Sequence, residues 1–259
     1  MFFYLQKFGG IQKKYIYLYR NIKLNINLKV NRMKRTMTLT TAIILMISLL
    51  SVGNVNAQEE EESTSPFSTG VDLVSTYVWR GSNFSGPSLQ PYVELGLGGL
   101  SVGAWGSQGF DGFQEMDLYL AYAFEFGLSL GITDYYYPGF GDYFDFSEDS
   151  GAHGIEANLG YEIGGLSFGA NYIFNESPGA ATAGGDMYFE LGYGFDNVDL
   201  FFGAGDGWHT SDGEFAVCNV GLGTSKDIVI TDSFTLPVAG SLIWNPDKEL
   251  FFIVVGLSF

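Results

Sequence analysis

The sequence contains one cysteine, Cys218, two histidines, His153 and His209, and after residue 57 only three basic residues, Arg80, Lys226 and Lys248. One thiol excludes an intrachain disulfide. One thiol and two imidazoles also make no zinc or redox motif, so no metal and no cofactor is expected. No cysteine follows the small residues at 55–57, which argues against a lipoprotein anchor. No apolar run reaches the roughly 20 residues a membrane helix needs. The scarcity of bases makes nucleic acid a poor partner, because an acidic surface repels phosphates.

What is present divides the chain in two. Nine of the 12 Lys and Arg residues precede Gln58 and all 29 acids follow it, giving +9 against 3 − 29 = −26. Met33-Lys34-Arg35, the apolar run from Ala42 to Leu50 and the small residues Val55-Asn56-Ala57 have the order of a secretory signal peptide over 33–57. Residues 1–32 then read as an over-extended start, with Met33 the initiator, or as a long n-region. Residues 58–66 carry four consecutive glutamates and end at Pro66, a leader expected to be disordered.

From Phe67 onward, apolar residues recur at every second position, the period of a strand. In the stretch 186–195, Met187, Phe189, Leu191, Tyr193 and Phe195 alternate with Asp186, Tyr188, Glu190 and two glycines. Twelve such segments predict strands near 67–80, 88–98, 100–108, 113–124, 128–137, 153–163, 166–174, 185–195, 198–206, 215–225, 234–245 and 249–259. Tight turns alternate with longer links, as in a transmembrane barrel with short periplasmic turns and long external loops. Two links break the rule: 226–233 is long where it should be short, and 246–248 is short where it should be long. The fold class expected is all-β, an antiparallel up-and-down transmembrane β-barrel of about 12 strands over 67–259.

A soluble sandwich would turn its polar face to water and carry both signs of charge there. Here the polar positions hold acids, Asn, Ser and Gly, which suits a water-filled lumen. Phe251, Ile253, Val255, Leu257 and Phe259 form one apolar face ending on the last residue. That face resembles the C-terminal signal read by the assembly machinery of bacterial outer-membrane barrels. Outer-membrane lipid, lipopolysaccharide and that machinery are the expected partners, besides small solutes.

Ser75-Thr76-Tyr77-Val78-Trp79-Arg80-Gly81, then Leu89-Gln90-Pro91 and Gly103-Ala104-Trp105-Gly106-Ser107, are similar to motifs of the TorF-type porin family. Members carry a comparable S-x-Y-x-x-R-G start and a G-x-W-x-S on the third strand. That family is assigned as a porin mainly by architecture, so the resemblance implies a bacterial outer-membrane barrel more than any substrate.

The lumen-facing parity collects Asp72, Arg80, Glu94, Glu115, Asp117, Glu156, Glu162, Asp186, Glu190 and Asp199. A carboxylate-lined lumen favours cations. The expected activity is therefore diffusion of small, cationic or neutral solutes, with Arg80, Glu94, Glu115, Asp117, Glu156, Asp186 and Glu190 setting selectivity. Arg80 is expected on the first strand, sharing a face with Asp72 and latched to Glu115 or another lumen acid. The acidic loop 134–149 reads as a solvated external loop, with Tyr135–Tyr137 marking an aromatic girdle. The alternatives are a non-conducting barrel whose loops bind a partner, and a lipid-modifying barrel enzyme. For the enzyme the candidates are His153 with Glu156 and His209 with Ser211, and no nucleophile motif accompanies them.

Overall fold

The computed structural model describes residues 65–259; the start, the signal peptide and most of the leader inferred above lie outside the described residues. Fourteen strands follow in order: β1 Phe67–Val74, β2 Tyr77–Trp79, β3 Ser82–Ser85, β4 Ser88–Leu97, β5 Leu100–Gly109, β6 Gln114–Ala123, β7 Leu128–Tyr136, β8 His153–Ile163, β9 Leu166–Ile173, β10 Asp186–Phe195, β11 Val198–Gly205, β12 Ala216–Thr231, β13 Phe234–Asn245 and β14 Leu250–Ser258. Twelve of them, β1 and β4–β14, pair antiparallel in sequence order and close into a barrel through β1 and β14. Closure removes the edges that an open sheet would expose.

The wall follows the alternation read from the sequence, with the usual faces of a soluble barrel exchanged. On β10, Met187, Phe189, Leu191, Tyr193 and Phe195 point out and are exposed, while Asp186 and Tyr188 are buried inside. Phe251, Ile253, Val255 and Phe259 of the last strand segment are likewise exposed. An outer wall this apolar matches hydrocarbon, where every backbone group must be paired within the protein. The antiparallel ladder supplies those pairs.

Short turns gather at one end, where the chain enters at Phe67 and finishes at Phe259. They need left-handed backbone, which Gly98, Gly127, Gly164 and Gly165 provide with positive φ, and Asp196 adopts φ 50° beside Asn197. The 226–233 irregularity disappears here. β12 and β13 continue as a two-stranded ribbon down to Thr231 and Phe234. β11 and β14 stop pairing with that ribbon at Thr224 and Val238 respectively, so its tip projects beyond the rim.

The strand expected over 67–80 ends early. β1 stops at Val74, and the chain turns into the lumen as the hairpin β2–β3 before resuming the wall at Ser88. The link 81–87, expected as an external loop, is thus half of an internal plug. The seam it leaves between β1 and β14 has three register pairs, Asp72–Ser258, Leu73–Leu257 and Val74–Gly256, against eight between β1 and β4. Further bonds support the seam: Val71 and Phe259 exchange two at 3.0 Å, and the Val255 N–H donates to Ser75 Oγ at 2.9 Å.

Candidate functional site

The site is the lumen where the β2–β3 hairpin sits. Its turn is Arg80-Gly81, with φ of 49° and 77°. A Cβ at Gly81 would lie 1.9 Å from the Cys218 carbonyl oxygen, so only glycine lets the turn approach β12. From there Arg80 reaches Glu156 on β8 in a forked ion pair, Nη1 to Oε2 at 2.6 Å and Nη2 to Oε1 at 2.9 Å. The side chains are 12% and 0% exposed, so each charge depends on the other. Tyr135 Oη and Asn158 Nδ2 also donate to Glu156 Oε1, at 2.9 and 2.6 Å. The guanidinium lies 4.2 Å from the Trp79 ring and 4.5 Å from that of Tyr188, a cation held between two aromatic rings.

The expectation for Arg80 is corrected in one respect: it sits on the plug's turn rather than on the first wall strand. The expected latch to Glu115 or another lumen acid forms, with Glu156 as the acid.

Aromatic packing fills the space around this pair. Trp79 meets Tyr135, Trp208 and His209 at centroid distances of 5.4 Å each, and Phe84 meets Phe113 at 5.6 Å and Tyr77 at 5.4 Å. Trp208 and His209 belong to a short 3-10 turn, Gly207–His209, in the link after β11. Burial, then the charges of Arg80 and Lys248, push the His209 imidazole down to about 2, so it is neutral there. Two polar clamps hold the hairpin from β13 and the next turn: Asn245 Nδ2 donates to the Gly81 carbonyl and Lys248 Nζ to Ser82 Oγ, both at 2.9 Å. The plug sits in the half of the lumen opposite Phe67 and Phe259.

The motif residues noted in the sequence are the parts of this device. Ser75 ties the hairpin's base to β14, Tyr77 packs 5.5 Å from Trp105, and Arg80 and Gly81 make the turn. Ser107 accepts a bond from Gln90 at 3.4 Å on the same inner face.

Of the other lumen candidates, Glu115, Asp117, Glu156 and Asp186 are buried inside at the plug's level. Glu115 accepts from Tyr137 Oη at 3.0 Å, and the buried Asp117 Oδ1 has no hydrogen-bond partner among the described residues. Asp186 accepts from Thr182 Oγ1. Glu190 bonds Tyr188 Oη at 2.5 Å and Asn219 Nδ2 at 3.1 Å, and Glu94 receives Tyr119 Oη at 2.9 Å. Asp72 lies near the seam, and Glu162 and Asp199 are exposed toward the turn end. Many inner positions in that half are small, among them Gly96, Ser129, Gly160 and Gly192.

The structure separates the proposed catalytic pairs. His153 faces outward and Glu156 inward on the same strand, and Ser211 Oγ bonds Asp247 at 3.2 Å rather than an imidazole. Tyr135 and Tyr137 point into the lumen, so only Tyr136 of that trio faces the outer wall. The loop after it is folded against that wall rather than solvated along its length. Sequence reading missed the Trp208–His209 turn and Asn245, which are distant in sequence from the plug. The available signal was two aromatic-type rings side by side in an otherwise polar link.

A family model described as a bacterial protein of unknown function (Gcw_chp) matches residues 58–227, more than half of the chain. The chain belongs to that family. The matched region includes the whole plug and its Glu156 partner. No curated protein matches the sequence. Among solved structures it is similar to a mutant of the Rh. blastica porin, at 13% identity and a TM-score of 0.38, covering 76% of this chain and 74% of that one. It is also similar to outer membrane phospholipase A from Escherichia coli, at 12% identity and a TM-score of 0.36, covering 77% and 92%. BamA from Haemophilus ducreyi, at 16% identity and a TM-score of 0.39, covers 70% of this chain and 41% of that one.

Proposed function

We propose that this protein is a porin-like channel of the bacterial outer membrane, passing small cationic or neutral solutes and closed at rest by its own β2–β3 hairpin. The observation that carries the reading is a carboxylate-rich lumen stoppered by a segment held through a few separable polar contacts. Arg80–Glu156, Asn245–Gly81 and Lys248–Ser82 all involve side chains, and none is a bond of the wall's backbone ladder. With the hairpin withdrawn, Glu115, Asp117 and Glu156 would line the opening and favour cations over anions. The similarity to TorF-type porins over the hairpin segment supports the outer-membrane barrel in this reading and not the choice of solute.

The tight ring packing around Trp79 and Phe84 favours a second reading, a non-conducting barrel whose plug never leaves. Planar-bilayer recording decides between them. Wild type is expected to give rare, brief steps and Arg80→Ala frequent, long ones. Silence from both, at every voltage, would leave the permanently plugged barrel.

A further inference from the structure

On the outside of the barrel, Asp134 of β7 and His153 of β8 lie on the parity that carries the exposed wall residues Ile132 and Leu159. A charged group on a lipid-facing wall is costly unless it is paired or covered. Both happen. His153 Nδ1 lies 2.8 Å from Asp134 Oδ1, and the histidine is only 1% exposed although it points away from the lumen.

The cover is the link 137–152. Phe146 stacks on the His153 ring at 4.0 Å, Tyr136 stacks on it at 4.7 Å, and Tyr143 meets it edge-on at 5.4 Å. His153 Nε2 lies 2.7 Å from the Tyr143 carbonyl oxygen, and Tyr136 Oη donates to the Gly141 carbonyl at 3.0 Å. The link is therefore pinned down the outer face. Pinned there, it presents Phe140 and Phe144, 63% and 78% exposed, next to the apolar wall. Asp142 lies between them and Glu148 and Asp149 follow, so the segment carries apolar and charged groups in the mixture suited to an interface and not to the hydrocarbon centre.

We propose that link 137–152 is a membrane-seated flap, anchored on His153, whose Phe140 and Phe144 occupy the acyl-chain boundary of the outer leaflet. Its occupant is lipid, because the phenylalanines continue a surface that lipid already covers on β6–β8. This holds whether or not the lumen conducts.

The test is nitroxide accessibility in a Cys218→Ala background, with the barrel reconstituted in phosphatidylcholine–phosphatidylglycerol vesicles. Probes at Phe140→Cys and Phe144→Cys are compared with Leu191→Cys on the wall and Asp212→Cys in an exposed link. The expected result is relaxation by lipid-soluble oxygen over the aqueous nickel chelate, with values closer to Leu191→Cys. Values equal to those at Asp212→Cys overturn the proposal, as does spin–spin broadening that shows a second copy of the chain on the flap. Adding His153→Ala should move the probe at 144 toward water and leave the one at 191 unchanged. A probe at 144 that remains in lipid without His153 overturns the anchoring.

Discussion

Arg80 and Glu156 are 76 positions apart and meet in a forked ion pair that joins the plug to the far side of the wall. Tyr135 and Asn158 bond the same carboxylate, so neutralising the arginine strands Glu156 among groups arranged for an anion. Removing one partner of a buried pair costs about 3–5 kcal/mol. Arg80→Ala should therefore weaken hairpin docking by about that amount, seen as sustained channel opening. Arg80→Ala with Glu156→Gln should cost less than the sum of the single changes. Strict additivity in that cycle would deny the coupling.

Gly81 offers a chemical readout of the same docking. Its φ is positive, and a Cβ added there would lie 1.9 Å from the Cys218 carbonyl oxygen, which leaves no room for a methyl group. Gly81→Ala should lift the turn and uncover the buried Cys218 thiol. Maleimide should then modify Cys218 at least about ten-fold faster than in wild type, which corresponds to a docking loss of about 1.4 kcal/mol. An equally inert thiol in Gly81→Ala would mean that the turn seats with the extra methyl.

Selectivity follows from the inner carboxylates. Starting from Arg80→Ala, replacing Glu94, Glu115 and Asp117 with their amides should move the reversal potential in a salt gradient toward zero. A potential that stays put with all three neutralised would show that these groups do not face the conducting path.

His209 makes the plug sensitive to acid. Its imidazole is held far below its ordinary value of 6.5, to about 2, by burial and by the charges of Arg80 and Lys248. The undocked state therefore binds the proton first. Docking is fully stable above about pH 6.5 and loses stability as pH falls below it toward 2. Wild type should open more readily from pH 7 to pH 4, and His209→Gln should lose that part of the response. Identical pH profiles for the two proteins would count against the linkage.

Phe259 joins the end of the chain to β1 through two backbone bonds with Val71. Its deletion should lower the yield of assembled barrel in cells more than the yield refolded into detergent micelles, if the residue also serves as an assembly signal. Equal losses would reduce its part to that of a closing residue.

The wall was legible because a strand in lipid must alternate strictly. Met187 through Phe195 and Phe251 through Phe259 specify their outward faces without reference to anything distant. The plug was not legible as a plug. Tyr77-Val78-Trp79 alternates no worse than β1 before it, and nothing local says that the chain leaves the wall at Ser75. The partners that draw it inward, Glu156, Trp208, Asn245 and Lys248, lie far along the sequence. Glu115, Asp117 and Asp186 could be placed inside from parity alone. That His153 is covered could not, because its cover comes from a long loop with no period.

The short seam gives the plug a mechanical meaning. The residues that would have lengthened β1 against β14 were diverted into the lumen, leaving three register pairs where neighbouring joins have eight or more. Stopper and zip are consecutive parts of one strand of chain. A pull that extracts the hairpin is delivered first to the least-stitched join in the cylinder, at Val74 and Ser75. Ser75 Oγ, fastened to the Val255 N–H, is the stitch that takes that load.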